Sequence, residues 1–574
     1  MIDPDPSAYA WRVAAPSDLP TAYLPEQPDL VRQIVWARGY RSPTAATLFV
    51  HPHRFRLPDL EDYPALRAAA DRICAGLARG ERICVWGDFD VDGQAGTAIL
   101  VGVLRRLGAQ VVYFMPDRLL DGHGLHSAGL AWVAAQGCTL LITCDCGAND
   151  AAAVEEAGAL GIAVVITDHH EAIGVAPRAV AVCNSAVLPA GDPLRDLPGA
   201  AMAYVLARLL CARRGRPEEA HQELDLVALG IVADVAPNVP AARALLVRGL
   251  DRLWHAPRPG LQALMQVTRG PAHPYDTDYL AFQLGPALNA PGRLGDARLS
   301  VELLLAADAP VAHDLATRLA ALNATRRRLQ KELEAAIEAL QDERDSARAA
   351  LIFSGEAWHV GLIGVVASQY AERYRRPVVV IALDPDGQMA RGSARGAPGL
   401  PVLAAIESQG HLLSAYGGHP GAAGFRLRRQ DVAAFTEGFL RALAGQAGAP
   451  AEGAVPVDAL VPWEAVAGPN AAQALFTLLA PLAPYYSGNP APVLASTGLR
   501  LLSLTPFGAE GQHARLLFGD SDGRVGEVTW WRYKQDLQPG RRYDVAYKLA
   551  PDEWRGQQRV RLIVEAIRLS CTAE

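Results

Sequence analysis

The chain has no uninterrupted apolar span of membrane length, and its opening residues, MIDPDPSAYAWRV, are acidic and lack the apolar core of a secretory signal. A membrane protein is therefore not expected, and the reading is a cytoplasmic one. Cysteine is sparse and unpatterned: Cys74, Cys84, Cys138, Cys144, Cys146, Cys183, Cys211 and Cys571 fall mostly inside predicted strands or helices, without the loop spacings of a disulfide framework. Cys144 and Cys146 form a close pair, but no second pair lies at zinc spacing and alternate residues of one strand share a face, so they read as packing. Positive charge is not in excess either, because 54 Lys and Arg stand against 61 Asp and Glu for a net charge of −7. Any nucleic-acid contact must rest on local basic patches. There is no low-complexity tract, and 574 residues at 50% hydrophobic content are enough for several cores, hence about three or four domains.

Residues 1–60 alternate short apolar patches with Pro and polar residues and read as a small helical lead-in. From about residue 80 the strands RICVWG, QVVYFMP, TLLITC and AVVIT alternate with helical stretches, which predicts a doubly wound α/β domain over 61–250. A helical connector over 251–345 follows, in which Leu315, Leu319, Leu322, Leu329, Leu333, Ile337 and Leu340 mark one long helix, with Arg326 to Arg328 read as a solvated face ahead of a DNA-contacting patch. A second α/β domain is expected over 346–445, then an Ala/Gly/Pro-rich linker. Short alternating strands in 456–574 predict a small C-terminal β-barrel.

Chemistry concentrates at strand ends, the edge at which open α/β sheets bind ligands. RICVW runs into GDFDVDG with Asp88, Asp90 and Asp92; TLLITC into Asp145; AVVIT into Asp168, His169 and His170; and the apolar run LDLVALGIVADVAP delivers Asp234. The D-x-D-x-D-G stretch is not a calcium loop, since the Glu required at its twelfth position is absent and a predicted helix begins at Thr97. Clustered carboxylates repel and raise one another's pKa unless cations neutralise them. Mixed carboxylate and imidazole donors suit Mn²⁺ or Mg²⁺, and there are enough of them for two ions, the arrangement that serves phosphoester hydrolysis.

GDFDVDG, TCDCG, TDHH and ALGIVADVAP, in that order, resemble the motifs of the DHH phosphoesterase superfamily. FQLGPALNAPGRLGDARLSVELLL, WHVGLIGVVASQYAERYRRPVVVI, RGSARG and YGGHPGAAG are similar to the RecJ exonucleases and their DHH-associated second domain. The resemblance covers about residues 80–574. It implies a 5′→3′ exonuclease on single-stranded DNA that acts in recombination and repair, with its active site between the two α/β domains and an OB-fold after them. On it, Asp90, Asp92, Asp145, His169 and Asp234 would hold two Mn²⁺ or Mg²⁺ ions, and Asp88 would be a ligand or support one. Asp168 would orient the histidines, and His170 would face the scissile phosphate. Ser393 and Arg395 would hold a terminal phosphate, with Arg118, Arg293 and His419 as further substrate contacts. Partners implied are single-stranded DNA with a 5′ end and a single-strand-binding protein.

The terminal domain interleaves Trp530, Trp531, Arg532, Tyr533 and Lys534, and later Trp554, Arg555, Arg559 and Arg561, the mixture of base-stacking faces and cations that suits single strands. Strand alternation requires one of Trp530 and Trp531 to point inward. Some residues depart from the family pattern. Trp86 stands where some superfamily members carry a histidine ligand, Ala287 where a basic residue is common, and LAPLAPYYSGNPAP replaces the usual approach to GNP. Two rival readings are an enzyme for short oligonucleotides or cyclic dinucleotides and a non-catalytic DNA-binding scaffold. The barrel-like tail weighs against the first, and the complete carboxylate set against the second.

Overall fold

The computed structural model describes residues 11–14, 19–20, 22–118, 120–268, 277–340, 349–397, 399–444, 454–508, 511–533, 537–554 and 557–570. They fall into two compact units, one built on 322–455 and the other on 11–321 together with 456–574.

The larger unit opens with helices α1 (Asp29–Ala37) and α2 (Pro43–Val50). Its central sheet is parallel throughout, with β1 (Arg82–Trp86), β2 (Gln110–Phe114), β3 (Leu140–Cys144), β4 (Ala163–Asp168) and β5 (Ala181–Asn184) in the order β2-β1-β3-β4-β5. Helices cover both faces of a parallel sheet, so the inner strands β1, β3 and β4 are buried along nearly their whole length rather than alternating. Chain direction across the sheet reverses beside β1, which makes its carboxyl end the expected ligand crevice. Helices α3 (Val91–Arg106), α4 (Gly199–Arg213), α5 (Leu224–Ala233) and α6 (Pro240–His255) follow, and α3, α4 and α5 pack on one another. Helix α7 (Gly285–Leu294) is entered through a π-helical turn at Leu280–Leu284.

The smaller unit begins within α8 (Ala309–Leu340), the long helix expected from the leucine spacing. Its sheet contains β6 (Leu351–Glu356), β7 (Val378–Leu383), β8 (Met389–Arg395), β9 (Leu413–His419) and β10 (Ala422–Arg428), ordered β9-β10-β8-β7-β6, with only β6 and β7 parallel. Helix α9 (Val360–Tyr374) lies between β6 and β7 in the chain, and Leu333 and Ile337 of α8 share its core. The C-terminal strands β11 (Leu494–Phe507), β12 (His513–Gly519), β13 (Val525–Trp530), β14 (Arg542–Trp554) and β15 (Gln557–Leu569) belong to the larger unit. A β11–β14 pairing closes them into a five-stranded barrel.

Several expectations change here. The lead-in is helical, but it is no separate piece: Tyr23, Ile34 and Phe49 join one core with Leu516, Phe518 and Val528 of the barrel. Arg326 is buried rather than solvated, donating to Asn323 Oδ1 (2.9 Å) and Gln330 Oε1 (2.7 Å), whereas Arg328 is exposed and paired with Glu332. Cys144 and Cys146 do not share a face. Asp145 between them adopts φ +64°, which turns the chain so that Cys146 joins the Trp86 core while Cys144 lies against Gly96 of α3. Both remain buried free thiols, as packing requires. Most of the expected linker lies outside the described residues. Among those described, no helix is long and apolar enough to cross a membrane.

Candidate active site

The loop after β1 is drawn tight by its glycines. A Cβ on Gly87 would collide with the Thr97 side chain, and one on Gly93 would sit 2.6 Å from Asp88 N, so the first turn of α3 lies directly against the strand end. Asp90 caps that helix, its Oδ1 accepting from Asp92 N (3.0 Å) and Gly93 N (3.1 Å). Asp92 reaches the start of α4, where Gly199 N (2.6 Å) and Ala200 N (3.0 Å) donate to its two oxygens. A side chain at Gly199 would press within 2.6 Å of Asp145 Cβ, and one at Gly230 of α5 would collide with Asp92. Small residues thus let three helices converge on the carboxylates. Asp234, the fourth contributor, arrives as the C-cap of α5 rather than from a strand end.

Histidines complete the cluster. His169 Nε2 stands 3.0 Å from Asp145 Oδ1 and 3.9 Å from Asp92 Oδ2, and its Nδ1 is 3.7 Å from Asp234 Oδ2. Asp168 accepts from the backbone N–H of Ala148 (2.8 Å) and His169 (2.7 Å) and from His170 Nδ1 (2.8 Å). It therefore orients the ring of His170 but not that of His169, contrary to the expectation that it would hold both. Asn184 Nδ2 donates to the His170 carbonyl (2.9 Å) and completes the support.

Electrostatics follow from this crowding. Burial, then repulsion from Asp90, raises Asp92 to about 7, and burial with repulsion from Asp92 and Asp90 raises Asp234 to about 9. Asp88 and Asp145 are pushed up as well, Asp145 far above the usual carboxylate range, first by burial and then by its acidic neighbours. Burial lowers His169 to about 4, so its imidazole is the neutral, metal-ligating form. At Asp168, burial works upward but the His170 hydrogen bond and charge prevail, and its pKa lies below the usual value.

The donor set fits divalent cations. Three overlapping groups, Asp145/His169/His170, Asp92/His169/Asp234 and Asp88/Asp90/Asp145, each bring one donor atom per residue within 4.8 Å of the others. Asp145 and His169 each belong to two groups, which ties the three into one donor set. Asp145 Oδ1 is buried and accepts no hydrogen bond among the described residues, although His169 Nε2 faces it at 3.0 Å. Two electron-pair donors left so close without a proton aligned between them suit a cation.

Sequence reasoning missed His123. It lies in the same MPDRLLDGHGL stretch that supplied Arg118, and its Nδ1 meets Asp88 Oδ1 at 3.1 Å while its ring lies 5.0 Å from that of His170. Burial works against its charge, but the Asp88 carboxylate beside it raises it to about 9. The available signal was a histidine between two glycines, too common to single out. Arg118 lies over the Phe89 ring at 4.7 Å. Arg293 lies in the last turn of α7 directly after Gly292, where a Cβ would come within 2.5 Å of Phe89 O. Both arginines therefore flank the aspartate loop.

The remaining expected residues lie in the smaller unit. Arg395 on β8 donates to Ser393 Oγ (2.9 Å), and its Nε to Ser368 Oγ of α9 (3.0 Å), a partner that was not anticipated. His419 ends β9 rather than sitting in a turn, and its Nδ1 accepts from Gly421 N (3.1 Å). On the barrel, Trp530 is 6% exposed and Trp531 44%, as alternation requires. Trp531 stands edge-on to His513 (4.8 Å) and Phe507 (5.5 Å), with Arg515 over Phe507 and Arg561 near Trp531. Lys534, Arg555 and the side chain of Trp554 lie outside the described residues.

A carboxylate–imidazole centre at the carboxyl edge of a doubly wound sheet, joined to a second α/β unit and a barrel, defines a multidomain phosphoesterase. The DHH family N-terminal domain model matches residues 82–231, the DHHA1 domain model 347–445 and the RecJ OB domain model 465–566. The chain is 33% identical over 583 residues to the single-stranded-DNA-specific exonuclease RecJ of Dickeya dadantii, covering 96% of this chain and 98% of that one, and it belongs to the RecJ family. The Bacillus subtilis RecJ is 28% identical over 578 residues, covering 98% of this chain and 71% of the relative. The crystal structure of Thermus thermophilus RecJ in complex with Mn²⁺ superposes with a TM-score of 0.82 at 30% identity, over 98% of this chain and 80% of that one.

Proposed function

We propose that this chain is a single-stranded-DNA-specific exonuclease that hydrolyses phosphodiester bonds from the 5′ end with two Mn²⁺ or Mg²⁺ ions and releases 5′-mononucleotides. The observation that carries the reading is the centre of Asp88, Asp90, Asp92, Asp145, His169 and Asp234, in which the raised carboxyl pKa values of Asp88, Asp92, Asp145 and Asp234 mark a site for cations. Relatives of this family supply the substrate class and the metals: RecJ proteins named as single-stranded-DNA-specific exonucleases and Thermus structures with Mn²⁺ and with Mg²⁺.

Asp90, Asp92, Asp145, His169 and Asp234 would hold the ions. Bound there, the ions would supply a hydroxide nucleophile and charge for both oxygens of an in-line displacement. The chain's own residues do the rest. His170, its Nδ1 held on Asp168, directs its other nitrogen toward a phosphate oxygen. Arg118 and Arg293 neutralise the strand beside the aspartate loop. Water oxygen bonds to phosphorus, the P–O3′ bond breaks and the 3′ oxygen takes up a proton, so each cut leaves a new 5′ phosphate on the shortened strand. Ser393 and Arg395 recognise that terminal phosphate, which is how the enzyme counts from the 5′ end, and His419 adds a contact. The barrel carries the strand on Trp531 and its arginines. We take 61–250 as the catalytic domain, 251–345 as connector, 346–445 as the terminal-phosphate domain and 456–574 as the OB-fold, with 1–60 the lead-in. The setting is cytoplasmic DNA repair and recombination, in keeping with the free cysteines, and a single-strand-binding protein is the proposed protein partner.

The test follows mononucleotide release with Mn²⁺ from 5′-labelled single-stranded, 3′-labelled single-stranded and blunt duplex DNA, for wild type and Asp145→Ala. Prompt loss of the 5′ label, slow loss of the 3′ label, little action on duplex and an inactive variant are expected. Earlier loss of the 3′ label would overturn the direction, and equal activity in the variant would overturn the site.

A further inference from the structure

The segment HPHRFR, residues 51–56, has no part in the chemistry described above. It leaves α2 through a short 3₁₀ turn at Pro52–Arg54, and its cations are poorly balanced. His51 meets Glu26 at 3.3 Å, whereas among the described residues no carboxylate lies within ion-pair distance of His53, Arg54 or Arg56.

Arg56 shares its acceptors with a second cation. Its Nη1 donates to the carbonyls of His53 (2.7 Å) and Phe55 (3.2 Å), and Nη2 of Arg248 on α6 donates to the same two oxygens, at 3.3 Å and 2.7 Å. Two guanidinium groups therefore stand side by side on one pair of carbonyls. A third, Arg208 of α4, comes from one helical turn beyond Tyr204 and is close enough for its charge to act on Arg248. Burial first, and then the charge of Arg56, lowers Arg248 below the usual arginine value.

Two features of this cluster call for an anion. Like charges repel, yet among the described residues no carboxylate lies within ion-pair distance of Arg56, Arg208 or Arg248. Arg208 is moreover half-buried, and among the described residues its polar neighbour is the hydroxyl of Tyr204, itself 1% exposed. A guanidinium carries five N–H donors, and most of those on Arg208 are left for something that the chain does not supply. Arg56 is exposed, so the cluster opens to solvent on its side.

We propose that Arg56, Arg208 and Arg248 form a phosphate-binding site separate from the carboxylate–histidine centre. Arginine forks match phosphate oxygens. Three of them converging from three elements suit a tetrahedral dianion better than the single charge of a flat carboxylate. Arg208 lies about 13 Å along α4 from Gly199, the residue that donates to Asp92, so this phosphate is not the one at the metal-binding aspartates. A free nucleotide and a nucleic-acid backbone present the same group. The site does not depend on the exonuclease reading, because its binding is measured without metal.

The test uses the full chain in EDTA. At constant ionic strength, inorganic phosphate at about ten times its Kd raises the wild-type melting temperature by about 2–4 °C over chloride. Arg208→Gln melts no lower than wild type in chloride, since it relieves repulsion, and loses at least half of that rise; Arg56→Gln, at an exposed position, is the second variant and loses as much. Two ligands identify the source. If 5′-dAMP shifts wild type as phosphate does, and wild type and Arg208→Gln bind a 5′-hydroxyl oligothymidylate equally, the site takes a free nucleotide. If Arg208→Gln binds that oligonucleotide roughly three- to tenfold more weakly, with a salt slope lower by about one ion, it takes the backbone. No rise over chloride, the same rise in wild type and both variants, or an equal rise with an oligoglutamate peptide would overturn the phosphate site.

Discussion

The aspartates of the centre are arranged against their own stability. A carboxyl whose folded pKa exceeds its unfolded value holds a proton that the unfolded chain has released, so it loses stability as pH rises from about 4 to the folded value. Asp92, at about 7, and Asp234, at about 9, behave this way, and His123, raised to about 9, loses its contribution in the same direction. His169, lowered to about 4, works oppositely, but only below its unfolded value of about 6.5. The metal-free protein is therefore expected to lose melting temperature between about pH 6.5 and 9, and saturating Mn²⁺ to flatten that slope. Thermal denaturation in EDTA and in Mn²⁺ across this range checks it, and a flat EDTA profile contradicts it. Asp145→Asn should melt no lower than wild type in EDTA, gain nothing from Mn²⁺ and release no mononucleotide. Asp168→Ala should keep the metal-induced gain in melting temperature but slow turnover about 10- to 100-fold, since it orients His170 without contacting the ions.

Single elements set which face of a residue meets substrate. Trp530 and Trp531 are neighbours in sequence with opposite fates, because Trp530 closes β13 against the barrel core and Trp531 joins the His513 and Phe507 rings outside it. Trp531→Ala is expected to weaken single-strand binding by about 1–3 kcal/mol without lowering the melting temperature, whereas Trp530→Ala costs about 3–5 kcal/mol of stability. Ser368 of α9 shows the same economy of placement: one hydroxyl holds Arg395 Nε and so fixes the guanidinium plane. Ser368→Ala should raise KM about five- to tenfold for 5′-phosphorylated strands only, with kcat and the 5′-hydroxyl substrate unchanged. An equal change on both substrates would assign Ser368 to packing alone.

Across the larger unit, the lead-in, the α/β sheet and the barrel are fastened by a few polar residues. Arg243 of α6, 1% exposed, lies over Phe49 and donates to the carbonyls of Phe49 (2.7 Å), Leu482 (3.0 Å) and Ala483 (2.7 Å). Burial lowers its pKa to about 10, yet it remains charged at neutral pH. The LAPLAPYYSGNPAP segment, which departs from the family pattern, is the strap that Arg243 grips. Tyr486 Oη adds a bond to Asn238 Oδ1, and Arg38 binds both Asn489 Oδ1 and Asp458. Removing Arg243 leaves several buried carbonyls unsatisfied, so Arg243→Met should destabilise by about 2–4 kcal/mol and increase proteolysis between the sheet and the barrel. Activity per folded molecule on short strands should survive. A melting temperature within a degree of wild type would contradict this role.

What could be read from the residues alone was local and periodic. Apolar strands of four to six residues ending in Asp or His place their polar groups at one sheet edge, because a parallel sheet buries every strand and offers side chains to ligand only where the strand stops. Asp88, Asp90, Asp92, Asp145, His169 and His170 were legible for that reason, as were the inward Trp530 or Trp531 and the long helix near 311–345. Tertiary structure alone decided the rest. The left-handed turn at Asp145 sends Cys146 to the opposite face from Cys144, and Asp234 arrives from a helix end. His123 meets Asp88 across 35 residues of chain, Ser368 reaches Arg395 from another element, and the lead-in helices share a core with a barrel more than 400 residues away. Spacing and periodicity describe neighbours along the chain, whereas these contacts are between residues that only packing makes neighbours.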